Sequence, residues 1–286
     1  MKKILFPFET NQKIYQEAYV YAVKFARNLG AELIMLNVFE IDDEATPTPD
    51  QYNKFVRDNW LKAYQEIIKF NKHFLSTHAR IESDMRIKTD YRFLHGSFIY
   101  EFKKIISEEE IDLIVLPEIG EKEIYKRIVE VIWHDAGLKN PVSLLLIPGE
   151  CQYQSIESTA FVADMKKLNH LGRYIKDVIR FTKVFDANIH FLHISHSKKD
   201  QLPGERPDIS DMIQTIENSH KHVFHNLIGR DIIGLIEEYT KKNNVQLAFV
   251  VRHHHYFFDS LFHKNLSDEI CLRSSVPVLV MKEKTD

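Results

Sequence analysis

Five short, continuously apolar segments occur in the first half of the chain, and five more follow in the second half in the same order. Each series is interleaved with longer amphipathic stretches. An apolar run of five to eight residues with no polar alternation has no face to offer water, so it reads as a strand covered on both sides. The amphipathic stretches between such runs are the helices that cover it. That alternation defines the α/β class with a parallel sheet. The expected strands of the first half are Lys3–Phe8, Glu32–Phe39, Arg86–Leu94, Asp112–Pro117 and Val142–Ile147. Those of the second half are Thr159–Met165, Asn188–Ser195, Lys221–Leu227, Gln246–Val251 and Pro277–Met281.

The two series align. The helical segments before the second strand of each half superimpose at a shift of 156 residues, with Ala31 on Ala187 and Leu36 on Leu192. Further along, GSFIYEFKKIISEEEIDLIVL matches GRDIIGLIEEYTKKNNVQLAFV from Gly96 and Gly229 onward, and Pro141 falls on Pro277. Five strands repeated in order mark a tandem duplication. The expected domains are 1–148 and 156–286, joined by the polar stretch Pro148 to Ser158.

Composition narrows the function classes. The 286 residues suffice for two cores. Basic residues number 38 against 41 acidic ones, a net charge of −3, which gives no footprint for nucleic acid or a membrane surface. No apolar run approaches the roughly 20 residues that span a bilayer, and the start MKKILFPF lacks the long apolar stretch of a secretory signal, so the expected location is the cytoplasm. Cys151 and Cys271 have no zinc-motif spacing and read as reduced thiols.

The opening MKKILFPFET, the segment ARNLGAELIMLNVF, the strand DLIVLP and the terminal PVLVM resemble the universal stress protein family, in a tandem two-domain, bacterial-type form that covers nearly the whole chain twice. The resemblance implies two five-stranded parallel sheets of order 3-2-1-4-5, sandwiched by helices, a Rossmann-like arrangement of the adenine nucleotide alpha hydrolase type. It further implies an internal pseudo-dimer of the two domains, with a homodimer as a further option, and unidentified protein partners. In such a sheet a ligand crevice opens beyond the carboxyl ends of strands 1 and 4, where the strand order reverses.

Nucleotide-binding members of the family carry an acidic residue after strand 1 and, after strand 4, the pattern G-x-x-G, nine residues, then G-S or G-T. The glycines let the backbone approach a phosphate. Here Glu9 and Asp164 keep the acidic position. In the first half Pro117 replaces the first glycine, Gly120 keeps the second, and Ile128-Val129 stand at the closing pair, where β-branched side chains remove the room a phosphate needs. In the second half the positions fall on Val251, His254 and Lys264-Asn265, with no glycine left. Arg252, His254, Lys264 and Asn265 offer charge and donors instead, so ATP or AMP would be held there by side chains.

The second half also holds the run His253-His254-His255 after the fourth strand, and His196 after the second. With Asp164 between them these define a candidate zinc set, three nitrogen or oxygen ligands and an open position. The competing reading is a polar rim of imidazoles, since adjacent loop histidines point in different directions and their spacing matches no ligand motif. No G-x-S-x-G, P-loop or H-E-x-x-H motif occurs, and no catalytic residue is assigned. The expected function is a stress-response binding or regulatory module without catalytic machinery. The alternatives are a nucleotide-binding protein with weak ATP hydrolysis at the second-domain crevice, and a zinc-binding sensor. The segment Tyr52 to His78 carries more aromatic residues than a covering helix needs, which marks it as a candidate interface.

Overall fold

A computed structural model describes residues 1–10, 13–40, 48–78, 87–117, 128, 131–132, 142–149, 151–163, 168–195, 221–229, 231–252 and 274–282. The chain divides into two compact units, Met1–Val142 and Ser143–Asp286. No described helix is long and apolar enough to cross a membrane.

The first unit contains β1 (Lys3–Pro7), α1 (Tyr15–Leu29), β2 (Glu32–Phe39), α2 (Pro49–His78), β3 (Thr89–His95), α3 (Phe98–Glu108) and β4 (Leu113–Pro117). Its strands lie in the order β3-β2-β1-β4 and every pair is parallel. Lys3 stands opposite Glu32, Ile4 opposite Leu113, and Leu33 opposite Thr89. The apolar runs fill the middle of the sheet, with Leu5, Phe6, Ile34, Met35, Ile114 and Val115 fully buried. The edge strand β3 is only half-buried. This explains why its sequence signal is the weakest, and why it starts three residues after the expected Arg86.

Helix α1 is buried from Ala18 to Ala26, because α2 lies on its outer side. Tyr19 stacks on Phe70 of α2 at 5.5 Å, and Phe70 meets Phe6 and Phe8 of β1 and its exit edge-on at 6.1 and 5.5 Å. Such pairs add to the burial of large rings. Lys24 is drawn into this layer with its ammonium 5.7 Å from the Phe74 ring centre, and burial lowers its pKa.

The second unit contains β5 (Ser143–Ile147), β6 (Ser158–Ala163), α4 (Leu168–Val184), β7 (Asn188–Ser195), β8 (His222–Ile228), α5 (Ile232–Lys242), β9 (Leu247–Arg252) and β10 (Val278–Lys282). Strands β8-β7-β6-β9-β10 run parallel in the 3-2-1-4-5 order, and β5 closes the far side of β10 antiparallel, Leu145 opposite Leu279. The last strands of the two repeats are therefore hydrogen-bonded partners.

The duplication extends to single hydrogen bonds. Asp112, just before β4, accepts from the amides of Lys2 and Lys3 at the start of β1, while Gln246, just before β9, accepts from Glu157 and Ser158 at the start of β6, at 3.0 and 2.9 Å. Gly96 donates to Phe39 and Gly229 to Ser195, each at 3.1 Å. The turn after α1 is left-handed at Gly30 (φ 60°), and its counterpart after α4 is Asp186 (φ 51°). The turn before β4 is left-handed at Glu110 (φ 52°) and before β9 at Asn244 (φ 48°).

Candidate functional site

In the first unit the strand order reverses between β1 and β4, so the crevice position lies past Pro7 and Pro117. The chain leaving β1 is tied down on its own neighbours. Phe8 donates its amide to Leu36 at 2.9 Å, and Asn37, itself buried, donates its side-chain amide to the Phe8 carbonyl at 2.8 Å. The hydroxyl of Tyr15, at the start of α1, is hydrogen-bonded to the Glu9 backbone and is pushed well above the usual tyrosine range by burial and then by the Glu9 carboxylate. Glu9 follows the end of β1 and is half-buried. The neighbouring helix start is also occupied, since Phe98, first residue of α3, donates its amide to the Glu40 carboxylate at 2.7 Å. A helix N-terminus capped by its own carboxylate repels a second anion.

The phosphate side is tested by Ile128. The nucleotide pattern needs a small residue with an exposed amide there; the structure has helical backbone and an isoleucine only 3% exposed, followed by buried Val131 and Ile132. A β-branched side chain packed in the core cannot line a phosphate cradle. Gly120 lies outside the described residues.

In the second unit the reversal falls between β6 and β9, with Val162 opposite Val250 and Arg252 ending β9. Among the expected binding residues, Asp164, His254, Lys264 and Asn265 lie outside the described residues, and of Arg252 only the backbone is described. The expected zinc ligands His196, His253, His254 and His255 likewise lie outside. Among the described residues no group of three His, Cys, Asp or Glu side chains is placed to hold a metal ion. At the carboxyl end of β7, Ser195 is 1% exposed and its hydroxyl has no hydrogen-bond partner among the described residues.

A polar cluster that the sequence reading did not anticipate sits at the other end of this sheet. His190, near the start of β7, lies between the Ser158 hydroxyl at 2.9 Å from Nε2 and the Tyr239 hydroxyl at 2.8 Å from Nδ1. His225 of β8 stacks on the same imidazole at 6.3 Å. Burial, and then His225, lowers the His190 pKa, and burial lowers that of His225 and pushes Tyr239 up to about 12. The four residues are up to 81 positions apart (239 − 158). Only strand pairing and the return of α5 bring them together. The one sequence signal was histidine in place of an apolar residue within two strands.

These features define a doubly wound α/β protein with its unit repeated in tandem. No protein-family model and no curated protein matches the chain. Solved structures do. A universal stress protein from Archaeoglobus fulgidus DSM 4304 matches 99% of this chain and 98% of its own at a TM-score of 0.68 and 15% identity. A functionally unknown protein from Pseudomonas aeruginosa PAO1 covers 99% and 92% at 0.57 and 11% identity. The cytoplasmic domain of a prokaryotic cation chloride cotransporter covers 98% and 94% at 0.53 and 8% identity. The chain has the universal stress protein fold, end to end.

Proposed function

We propose that the protein is a stress-response binding or regulatory module whose first unit has given up nucleotide binding for a packed core. The observation that carries this reading is Ile128, buried where a phosphate-binding loop would need an exposed amide. The hydrogen bonds that fasten the β1 exit support it, since the Phe8 amide and carbonyl are both taken there. Fold alone does not set function, as its occurrence in a transporter's cytoplasmic domain illustrates.

A second reading, nucleotide binding with weak hydrolysis at the second-unit crevice, draws on one observation. Ser195 keeps a buried hydroxyl with no protein partner among the described residues at the carboxyl edge of the sheet, where a ligand of such a fold enters. Calorimetric titration of the untagged full chain with Mg-ATP separates the two readings. No heat of binding supports the first. One equivalent, lost on Lys264→Ala/Asn265→Ala, establishes the second. Two equivalents would overturn the assignment of the first unit.

A further inference from the structure

Helix α2 turns Ala63, Ile67, Phe70 and Phe74 into the protein, and beside this buried stripe runs a second apolar one that stays exposed, ahead of the polar outer face. Trp60, Leu61, Tyr64, Ile68 and Leu75 are each 51 to 55% exposed. Leu61, Ile68 and Leu75 recur every seven residues, and Arg57, Tyr64 and Asn71 stand at the intervening positions four residues before each. This is the spacing of a helix seam built to meet another helix. Half-exposed side chains of this size leave on the order of 100 Å² each, so with Tyr91 on the adjoining edge strand the patch offers about 600 Å² of apolar surface. That is the upper range for a monomer and most of the roughly 800 Å² that each partner contributes to a stable interface.

We propose that this seam pairs with the same seam of a second copy, antiparallel, about a twofold axis passing beside residue 66. The area of the patch and the charges on its flank favour that partner, and the spacing admits it. The six seam positions are symmetric about residue 66, so an antiparallel copy sets Tyr64 against Ile68, Leu61 against Asn71 and Leu75 against the stem of Arg57, and the symmetry repeats each contact. An interface of this kind must be self-complementary, and the spacing of the seam positions maps onto itself when the helix is reversed. The exposed flank agrees. Asp58, Gln65 and Lys72 follow one another at seven-residue intervals along one side. The twofold places Asp58 of one copy beside Lys72 of the other and the two Gln65 amides together. On the opposite flank Trp60 is held against β3 of the same copy, edge-on to Phe93 at 6.0 Å, which stiffens the patch before association.

Sedimentation equilibrium of the untagged full chain tests this. The expected mass is twice 33.8 kDa at micromolar concentration. Ile68→Asp sets a carboxylate against the Tyr64 ring of the second copy, and is expected to weaken association on the order of a hundredfold with an unchanged circular dichroism spectrum. Should that variant fail to fold, the flank decides. Asp58→Lys weakens the dimer, and Asp58→Lys/Lys72→Asp restores it. A wild-type monomer, a folded Ile68→Asp variant that remains fully dimeric, or a charge exchange that fails to restore association would each overturn the proposal.

Discussion

Nδ1 of His190 and the hydroxyl of Tyr239 lie 2.8 Å apart, joining β7 to α5 across 49 residues, and the Ser158 hydroxyl holds the other ring nitrogen. A neutral imidazole serves both hydroxyls, one nitrogen accepting and the other donating. A protonated one would have to donate twice beside His225 in a half-buried site.

The sign of the resulting pH dependence follows. Burial and then His225 lower the folded pKa of His190 below its ordinary 6.5. The unfolded chain therefore takes up a proton that the folded chain refuses, and stability falls as pH drops below about 6.5. Urea midpoints at pH 7.5 and 5.5 are expected to differ in that direction, and His190→Gln is expected to reduce the difference. An unchanged pH dependence in the variant would show that the cluster does not control it.

Glu109 ties the end of α3 to two strands, accepting from Lys3 Nζ at 2.7 Å and Arg92 at 2.9 Å. The Lys3 hydrogen bond, then that from Arg92, holds its carboxyl below the ordinary 4.5. This contribution is complete at neutral pH and is lost as pH falls below 4.5 through the lowered folded value. The groups are partly solvated, so Glu109→Gln is expected to cost about 0.5–1 kcal/mol at pH 7, with little further loss near pH 3. Chemical denaturation at the two pH values measures both.

Ile128 is the test of whether the first-unit crevice was filled or merely altered. Ile128→Ala removes buried methyl groups and leaves a cavity, with an expected cost of about 2–4 kcal/mol. It is expected to restore no Mg-ATP binding, because the exposed amides of a phosphate loop are not recovered by shortening one side chain. A calorimetric signal in this variant would contradict that account.

Left-handed backbone is carried by Gly30 in one repeat and by Asp186 in the other. A side chain at Gly30 would meet no atom within 4 Å, so Gly30→Ala isolates the conformational cost, about 1 kcal/mol. Glu110 already bears that cost at φ 52°, and Glu110→Gly is expected to raise the thermal midpoint. A fall would mean that the lost Glu110 charge beside Lys3 outweighs the relief.

The sequence by itself determined the class, the duplication and the strands. Apolar runs such as ELIMLNVF and NIHFLHIS permit little else, and β2 and β7 occupy the expected Glu32–Phe39 and Asn188–Ser195. A covered parallel strand must be apolar along its whole length, so its limits are written locally. Half-covered β3 lacks that constraint, and its start was misplaced for that reason. Glu9 could be placed past the end of β1 because that position follows directly from the strand, and Ile128 stood out because a β-branched residue departs from the expected phosphate pattern. The tertiary structure alone decided that Ile128 is core and that Glu40 closes the start of α3. It also joined Ser158, His190 and Tyr239, and left one side of α2 apolar and exposed. Each of these depends on which distant surfaces meet, and helical or strand periodicity records only that a residue is covered, not what covers it.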